Sequence, residues 1–331
     1  MGAAVPFPLW GVAYSNDGST ILTTGLGGGG RMWHSSTGER VGSYPLALTG
    51  AFGPGSTIVT GGFSEAGPSV RVLRIDSGEE VRSFPVPWLG PGFAMSPDRS
   101  VLATSVHFGG VALWEVASGT RLRTLHVSPG YADQIATGVA FSPDGTLVAG
   151  LAADALFVWE IASGRIVLDF PAHSGLAFSV TFSPDGSKIA TSGRDGAAVW
   201  DASSGDRLAS LSGVGGIAAV RFSPDGRLLA TAGDDGKVRI WGVAAGRETL
   251  SLGSAGAALG EVAFSPDGTK LASVGLDGIL RVYVLPIDEL VQLARDRVTR
   301  GFTERECSQY LHLAACTAAL ARPPGPSVDS G

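Results

Sequence analysis

One short pattern returns along the whole chain at nearly constant spacing, and this periodicity decides which folds are open to it. The pattern is an aromatic residue or Met followed by Ser-Pro-Asp-Gly or a close variant. The seven copies begin at Tyr14, Phe52, Met95, Phe141, Phe182, Phe222 and Phe264, 38 to 46 residues apart. A fixed period of this length is typical of repeat architectures in which each copy is one small structural unit.

A second landmark keeps the same period. A short β-rich run ends 18 to 21 residues after each start, at Trp33, Leu73, Trp114, Trp159, Trp200, Trp241 and Tyr283. The two counts are independent, and both predict seven units.

Each unit has the pattern of strands joined by tight turns. In the sixth unit we predict strands at Ala219–Phe222, Leu228–Ala232, Val238–Trp241 and Arg247–Leu252. The Pro-Asp-Gly turns suit this role, because Pro presets φ, Asp bonds its own backbone and Gly accepts positive φ. Calcium binding by these turns is disfavoured, since each turn supplies one carboxylate and Ca²⁺ takes six or more oxygens.

A four-stranded sheet of this size cannot bury both of its faces alone, so the units must stack on one another. The predicted fold class is all-β: a seven-bladed β-propeller of four-stranded antiparallel blades. A fourth-strand run follows the third strand in six units and is missing from the seventh. We expect Gly2–Phe7 to supply it as an edge strand, and the alternative is a blade left with three strands.

Through its "FSPDG" turns, the Asp-Gly before Val238 and Leu280, and its "VW" or "IW" strand ends, the chain resembles the WD-repeat family over residues 9–285. Only Trp200-Asp201 is a literal Trp-Asp pair. The resemblance implies a non-enzymatic binding platform. It also implies a buried structural hydrogen-bond set, which blade 5 alone supplies in full as His173, Thr191, Asp195 and Trp200.

Blades 6 and 7 keep parts of that set. The retained residues are Thr231, Asp235 and Trp241 in blade 6, and Ser273, Asp277 and Tyr283 in blade 7. We favour this structural role over a metal or catalytic role for His173, because buried polar groups are normally paired. Blades 1 to 3 lack the set, so we expect them to be less regular.

From Ile287 onward the apolar period becomes helical. The predicted organisation is a propeller over 1–285, a helical tail docked on it over 286–313, and a disordered C-terminus over 314–331. The tail "DELVQLARDRVTRGFTERECSQYLHL" resembles the segment that closes the propeller regions of large bacterial signalling proteins. That resemblance implies a scaffold or sensor module in bacterial signalling.

Composition excludes several other classes. The net charge is −6 and no run of Lys or Arg is long enough to follow a phosphate backbone, so nucleic acid is not an expected ligand. No apolar run reaches membrane-spanning length and no signal peptide opens the chain, which predicts a cytoplasmic protein that does not bind membranes. Cys307 and Cys316 both lie in the tail, so the body has no disulfide framework.

No catalytic motif stands out. The five histidines are scattered over different units, and we predict no metal site, no cofactor and no enzymatic activity. Gly25, Gly27 and Gly30 have the spacing of a dinucleotide-binding loop but lead into the strand Arg31–Trp33 instead of a helix. A hydrolase or small-molecule binder centred on the channel stays as the alternative, which a metal or a cluster of His and carboxylates in the channel would favour.

The family resemblance places partner binding at the rim of the central channel. We expect a protein or peptide partner, and a chain that is a monomer or part of a larger assembly. Trp10 and Phe178 stand out because large aromatic residues dominate many interfaces, although they could equally fill the channel or pack between blades. The rim positions at the start of the inner strands are Trp10, Leu48, Pro91, Thr137, Phe178, Ala218 and Gly260, and those in the second turns are Arg194, Asp234 and Leu276.

Overall fold

The computed structural model describes residues 7–285 except 28, 46, 107–109, 212–214, 254 and 255. These residues form 27 β-strands in seven antiparallel sheets and one short 3-10 turn, Pro129–Tyr131. Blade 1 contains β1 Leu9–Tyr14, β2 Thr20–Gly25, β3 Gly30–His34 and β4 Arg40–Tyr44; blade 2 contains β5 Thr49–Phe52, β6 Thr57–Ser64, β7 Gly67–Arg74 and β8 Glu80–Pro85. Blade 3 contains β9 Phe93–Met95, β10 Val101–Ser105, β11 Gly110–Glu115 and β12 Arg121–His126; blade 4 contains β13 Ala136–Phe141, β14 Leu147–Ala152, β15 Ala155–Glu160 and β16 Ile166–Pro171. Blade 5 contains β17 Ala177–Phe182, β18 Lys188–Gly193, β19 Gly196–Asp201 and β20 Arg207–Leu211; blade 6 contains β21 Ile217–Phe222, β22 Leu228–Gly233, β23 Val238–Gly242 and β24 Arg247–Leu252; blade 7 contains β25 Leu259–Phe264, β26 Lys270–Gly275 and β27 Arg281–Val284.

The sheets are arranged as a closed ring. Within each blade the strands pair in chain order, from an inner strand to an outer one. The inner strands of consecutive blades pack against each other all the way round, and β25 of blade 7 packs on β1 of blade 1. The predicted seven-bladed propeller is therefore confirmed, and the four strands predicted for the sixth unit fall within β21 to β24.

The repeated turn joins the first strand of each blade to the second and links neighbouring blades. In blade 6 the Ser223 hydroxyl donates to Asp225 at 2.5 Å, and the Leu228 amide donates to Ser223 at 2.9 Å. The hydrogen bond from Ser223, followed by the one from the Arg227 amide, lowers the pKa of Asp225. Gly226 has φ +71°, and a Cβ built on it would lie 3.4 Å from Pro184 in the equivalent turn of blade 5. The turn therefore sets both strand register and blade spacing.

The core lies between the blades. One cluster of buried side chains joins Leu151, Leu156 and Val158 of blade 4 to Phe182 and Trp200 of blade 5. Equivalent clusters occupy other blade interfaces. Each sheet thus buries its faces against its two neighbours, which is why a single repeat would not be stable.

Regularity differs round the ring. The inner strands of blades 2 and 3 have only four and three residues, and the hairpin β6–β7 of blade 2 has eight residues in each strand. The expected irregularity therefore appears in blades 2 and 3, whereas β1 has six residues like the inner strands of blades 4 to 7.

Three predictions concern residues that lie wholly or mostly outside the described part of the chain. Of the edge strand expected at Gly2–Phe7, only Phe7 belongs to the described part of the chain. Blade 7 has three strands among the described residues. The helical tail over 286–313 and the disordered C-terminus over 314–331 also lie outside. The chain divides into two compact units, Met1–Val284 and Leu285–Gly331. Among the described residues, no helix has the length and apolarity needed to cross a bilayer.

Candidate partner-binding rim and central channel

A cavity of about 520 Å³ occupies the centre of the ring. Every blade contributes part of its inner strand or the segment before it. Six of the seven predicted inner-strand positions line this cavity: Trp10, Pro91, Thr137, Phe178, Ala218 and Gly260. The seventh, Leu48, packs instead against the cluster between blades 2 and 3, and Thr49 lines the cavity in its place.

The two aromatic residues singled out from the sequence differ in exposure. Trp10 is 47% exposed, although it belongs to an inner strand. Phe178 is partly buried and contacts the same cavity from blade 5. Trp10 therefore offers a large apolar surface at the channel mouth, whereas Phe178 contributes to the channel wall.

The predicted second-turn residues occupy one structural position in three successive blades. The amides of Arg194, Asp234 and Leu276 donate to the carbonyl groups of Leu176, Gly216 and Ala258, at 3.1, 3.0 and 3.0 Å. Each carbonyl belongs to the segment that leads into the inner strand of the same blade. The rim is thus built from two hydrogen-bonded segments per blade, and all three second-turn residues are exposed at it.

The chemistry of the rim changes round the ring. Blades 5 and 6 present charged residues in the second turn, including Arg194 and Asp234. Large exposed apolar residues occur in blades 7, 1 and 2, and also in blade 5 at Leu176. We call the set in blades 7, 1 and 2 the apolar arc: Leu276, Phe7, Trp10, Leu26 and Phe63. Exposed apolar residues gathered in one place are characteristic of binding surfaces.

The four residues of the blade 5 set form one chain of hydrogen bonds. The indole N–H of Trp200 donates to Thr191 Oγ1 at 2.8 Å, and Thr191 Oγ1 lies 2.9 Å from His173 Nε2. His173 Nδ1 lies 2.6 Å from Asp195, which also accepts from the Ser174 amide at 2.7 Å. Each N–H and O–H of the set has an acceptor when the Thr191 hydroxyl donates to His173 Nε2 and His173 Nδ1–H donates to Asp195. Burial opposes ionisation of Asp195, but these donors hold its pKa at about 2.

This geometry is structural in character. His173 is buried, and both of its ring nitrogens have partners within the protein. No three residues among the His, Cys, Asp and Glu side chains that the structure describes come together in a way that could hold a metal ion.

Two parts of this network escaped the sequence analysis. The Trp-to-Thr bond also occurs in blades 1 and 3, as Trp33 to Thr23 at 2.9 Å and Trp114 to Thr104 at 3.0 Å. The available signal was a Thr ten residues before the Trp.

In blades 6 and 7, an arginine on the third strand takes the place of histidine as the partner of the rim aspartate. Arg239 bonds Asp235 at 2.5 Å, and Arg281 bonds Asp277 at 2.6 Å. These arginines stand two residues before the landmark Trp241 and Tyr283, which was the signal in the sequence.

The channel wall contains an ion pair that the sequence analysis also missed. Arg221 donates to Glu261 at 2.7 Å and to the Ser179 hydroxyl at 2.8 Å, so it connects blades 5, 6 and 7. Burial raises the pKa of Glu261, while Arg221 opposes that rise. The equivalent inner-strand positions hold small residues, namely Ala13, Ala51, Ala94, Ala140, Thr181 and Ala263. That single long side chain among small ones was the available signal.

Fold and site together define a seven-bladed β-propeller with a candidate binding rim and, among the described residues, no cluster that could hold a metal. The family model for "WD domain, G-beta repeat" matches residues 164–201, 205–242 and 250–283. Each match runs from the fourth strand of one blade to the third strand of the next, and the three together end in blades 5, 6 and 7. A search of curated proteins finds no match to the chain. The chain is therefore a seven-bladed β-propeller in which these three segments are WD repeats.

Proposed function

We propose that the protein is a non-enzymatic interaction platform that binds a peptide or a protein loop over the rim and the central channel. WD-repeat propellers generally act as protein-interaction platforms. The observation that carries the proposal for this chain is the apolar arc. Its five side chains are 41 to 52% exposed and belong to the neighbouring blades 7, 1 and 2. Burying such side chains against a partner would provide the main driving force for binding.

The contents of the cavity support a binding role over a catalytic one. Glu261 is the single carboxylate among the described residues that line it, no described histidine lines it, and Glu261 is engaged by Arg221. A hydrolytic site needs a free base or a nucleophile with an adjacent base. The cavity volume and the polar group formed by Arg221, Glu261 and Ser179 favour a small-molecule binder as the second candidate function.

We further propose a scaffold or sensor role in bacterial signalling, in the cytoplasm. This part rests on the resemblance of the tail sequence to the closing segments of bacterial signalling propellers. The net charge of −6 and the lack of a basic run are consistent with a protein partner and not a nucleic acid.

Affinity capture from native extract tests the proposal. We expect the protein to retain a specific partner, and the double variant Trp10→Ala with Phe178→Ala to lose it with little change in melting temperature. Leu122→Ala is the matched control, because Leu122 is 53% exposed on an outer strand, away from the rim. Retention of the partner by the double variant would argue against the rim, and loss of folding would show that the two aromatic residues belong to the core.

A further inference from the structure

Four consecutive blades carry an arginine at the same position of the third strand. These are Arg239 in blade 6, Arg281 in blade 7, Arg31 in blade 1 and Arg71 in blade 2, each two residues before the landmark Trp, Tyr or Leu. Strand register pairs them with Thr231, Ser273, Thr23 and Thr60 of the second strand. The four arginines are therefore structurally equivalent.

Three of these arginines have a carboxylate partner. Arg239 and Arg281 bond the rim aspartates four residues earlier, Asp235 and Asp277, at 2.5 and 2.6 Å. Arg239 also lies 3.5 Å from Glu248 on the fourth strand, and Arg71 lies 3.6 Å from Glu80 at the equivalent fourth-strand position. The blade thus offers two places for the neutralising acid, one in the rim turn and one on the outer strand.

Arg31 has neither acid. Residues 275–281 of blade 7 read GLDGILR, whereas residues 25–31 of blade 1 read GLGGGGR, so Gly27 stands where blade 7 has its aspartate. The fourth-strand position opposite Trp33 holds Arg40, a like charge. Arg31 Nη1 has no hydrogen-bond partner, and neither has Arg281 Nη1, so Arg31 differs from Arg281 in having no carboxylate at its other nitrogens. A partly buried arginine without a carboxylate is less favourable than a paired one, and a carboxylate is the group whose geometry fits a guanidinium best.

The rim segments of blade 1 carry large exposed apolar side chains. Leu26 and Phe7 are 41% and 44% exposed, and a Cβ built on Gly27 would lie 2.9 Å from the ring of Phe7. Trp10, on the first strand of the same blade, is 47% exposed. A ligand that reaches Arg31 therefore meets large apolar side chains on its way.

We propose that Arg31 binds a carboxylate of the partner, which enters at the rim of blade 1 beside Gly27 and supplies the acid that Asp277 supplies to Arg281 in blade 7. The partner segment is a peptide in which one acidic group is flanked by large apolar side chains. This inference rests on the proposed function and names the chemistry of its ligand. The carboxylate comes from an Asp or Glu side chain or from a chain terminus, and these two sources share the same recognition by Arg31.

Selection from two random peptide libraries tests the proposal with the full chain. One library has amidated C-termini, so its carboxylates are side chains; the other has free C-termini and no Asp or Glu. We expect one library to yield binders, and we expect replacement of the acid by its amide to weaken binding by about tenfold or more. Arg31→Met should produce the same loss and should remove the difference between the acid and amide peptides.

Arg40→Met is the matched control, since Arg40 is an exposed arginine of the same blade. It should leave both affinities unchanged. Arg31→Met should not lower the melting temperature, because it removes an unpartnered cation, whereas Arg281→Met should lower it by breaking the bond to Asp277. Binders that tolerate the amide, or that bind Arg31→Met equally well, would overturn this inference and leave the interaction platform intact. A failure of both libraries to yield any binder would overturn both proposals.

Discussion

Blades 4 and 5 are neighbours with the same strand registers, yet the equivalent interior positions are polar in blade 5 and aromatic in blade 4. In blade 5 the buried cross-strand pair is Thr191 with Ala198, and Thr191 connects Trp200 to His173. In blade 4 the equivalent pair is Gly150 with Phe157.

The aromatic residues of blade 4 replace the polar chain of blade 5. The ring of Phe157 stacks on Trp159 with centroids 5.8 Å apart, and it meets Tyr131 edge-on at 5.3 Å. The indole N–H of Trp159 donates to the His126 carbonyl, outside its own blade, at 3.0 Å. The comparison teaches that a blade of this backbone needs a filled interior and a hydrogen-bond partner for each buried donor. Either a group of polar residues or a group of aromatic residues can meet both needs.

Thr191→Val should give the largest effect, because it keeps the side-chain volume and removes the central hydroxyl of the polar group of blade 5. The buried donor of Trp200 and the Nε2 atom of His173 would both lose their partner. We expect a loss of about 3 kcal/mol in the free energy of unfolding, measured by denaturant titration. Thr231→Val in blade 6 is the matched control, since it leaves only the Trp241 N–H without an acceptor. It should lower the free energy of unfolding by about 1.5 kcal/mol. Equal losses would show that the histidine bond adds nothing to blade 5.

Gly150→Ala tests whether the aromatic group of blade 4 leaves room for a side chain. A Cβ at Gly150 would lie 2.9 Å from the ring of Trp159, which is 1% exposed and held by Phe157. We expect a loss of about 2 kcal/mol from overpacking, seen as a lower melting temperature. Gly130→Ala serves as the control, because a Cβ there meets nothing within 4 Å. A neutral result at Gly150 would mean that the aromatic packing of blade 4 is loose.

The repeat count, the turns and the outer strands could be read from the sequence because they depend on residues close together in the chain. Ser223, Asp225 and Gly226 form their turn without help from another blade. The blade 5 set could be anticipated because the family resemblance supplies its pattern.

Contacts between distant residues left no comparable signal. Arg221 and Glu261 are 40 residues apart and meet only because the ring brings blades 6 and 7 together. The packing of Tyr131 on Phe157 likewise depends on the fold, since both look like ordinary core residues in the sequence. The lack of a carboxylate beside Arg31 becomes clear only by comparison with its equivalents in blades 6 and 7, which bond aspartates.

The smallest expected effect is the contribution of Asp195, in the polar group of blade 5, to the free energy of unfolding, which can be measured by titration with acid. The pKa of Asp195 in the folded state is about 2, below its ordinary value of 3.8, so its ionised form stabilises the fold above about pH 4. That contribution is lost as the pH falls from about 4 towards 2, when the carboxylate takes up a proton and stops accepting from His173 and Ser174. We expect about 1 kcal/mol from this source, because Asp195 remains partly open to solvent.

In Asp195→Asn the free energy of unfolding should therefore fall less steeply over this pH range than in the parent protein. Asp133→Asn is the control, since the Asp133 carboxylate accepts no hydrogen bond among the described residues, and its titration curve should run parallel to that of the parent. A parallel curve for Asp195→Asn as well would show that the charge of Asp195 is not what holds His173. The polar group of blade 5 would then depend on packing and on the hydrogen bonds that join Trp200, Thr191 and His173.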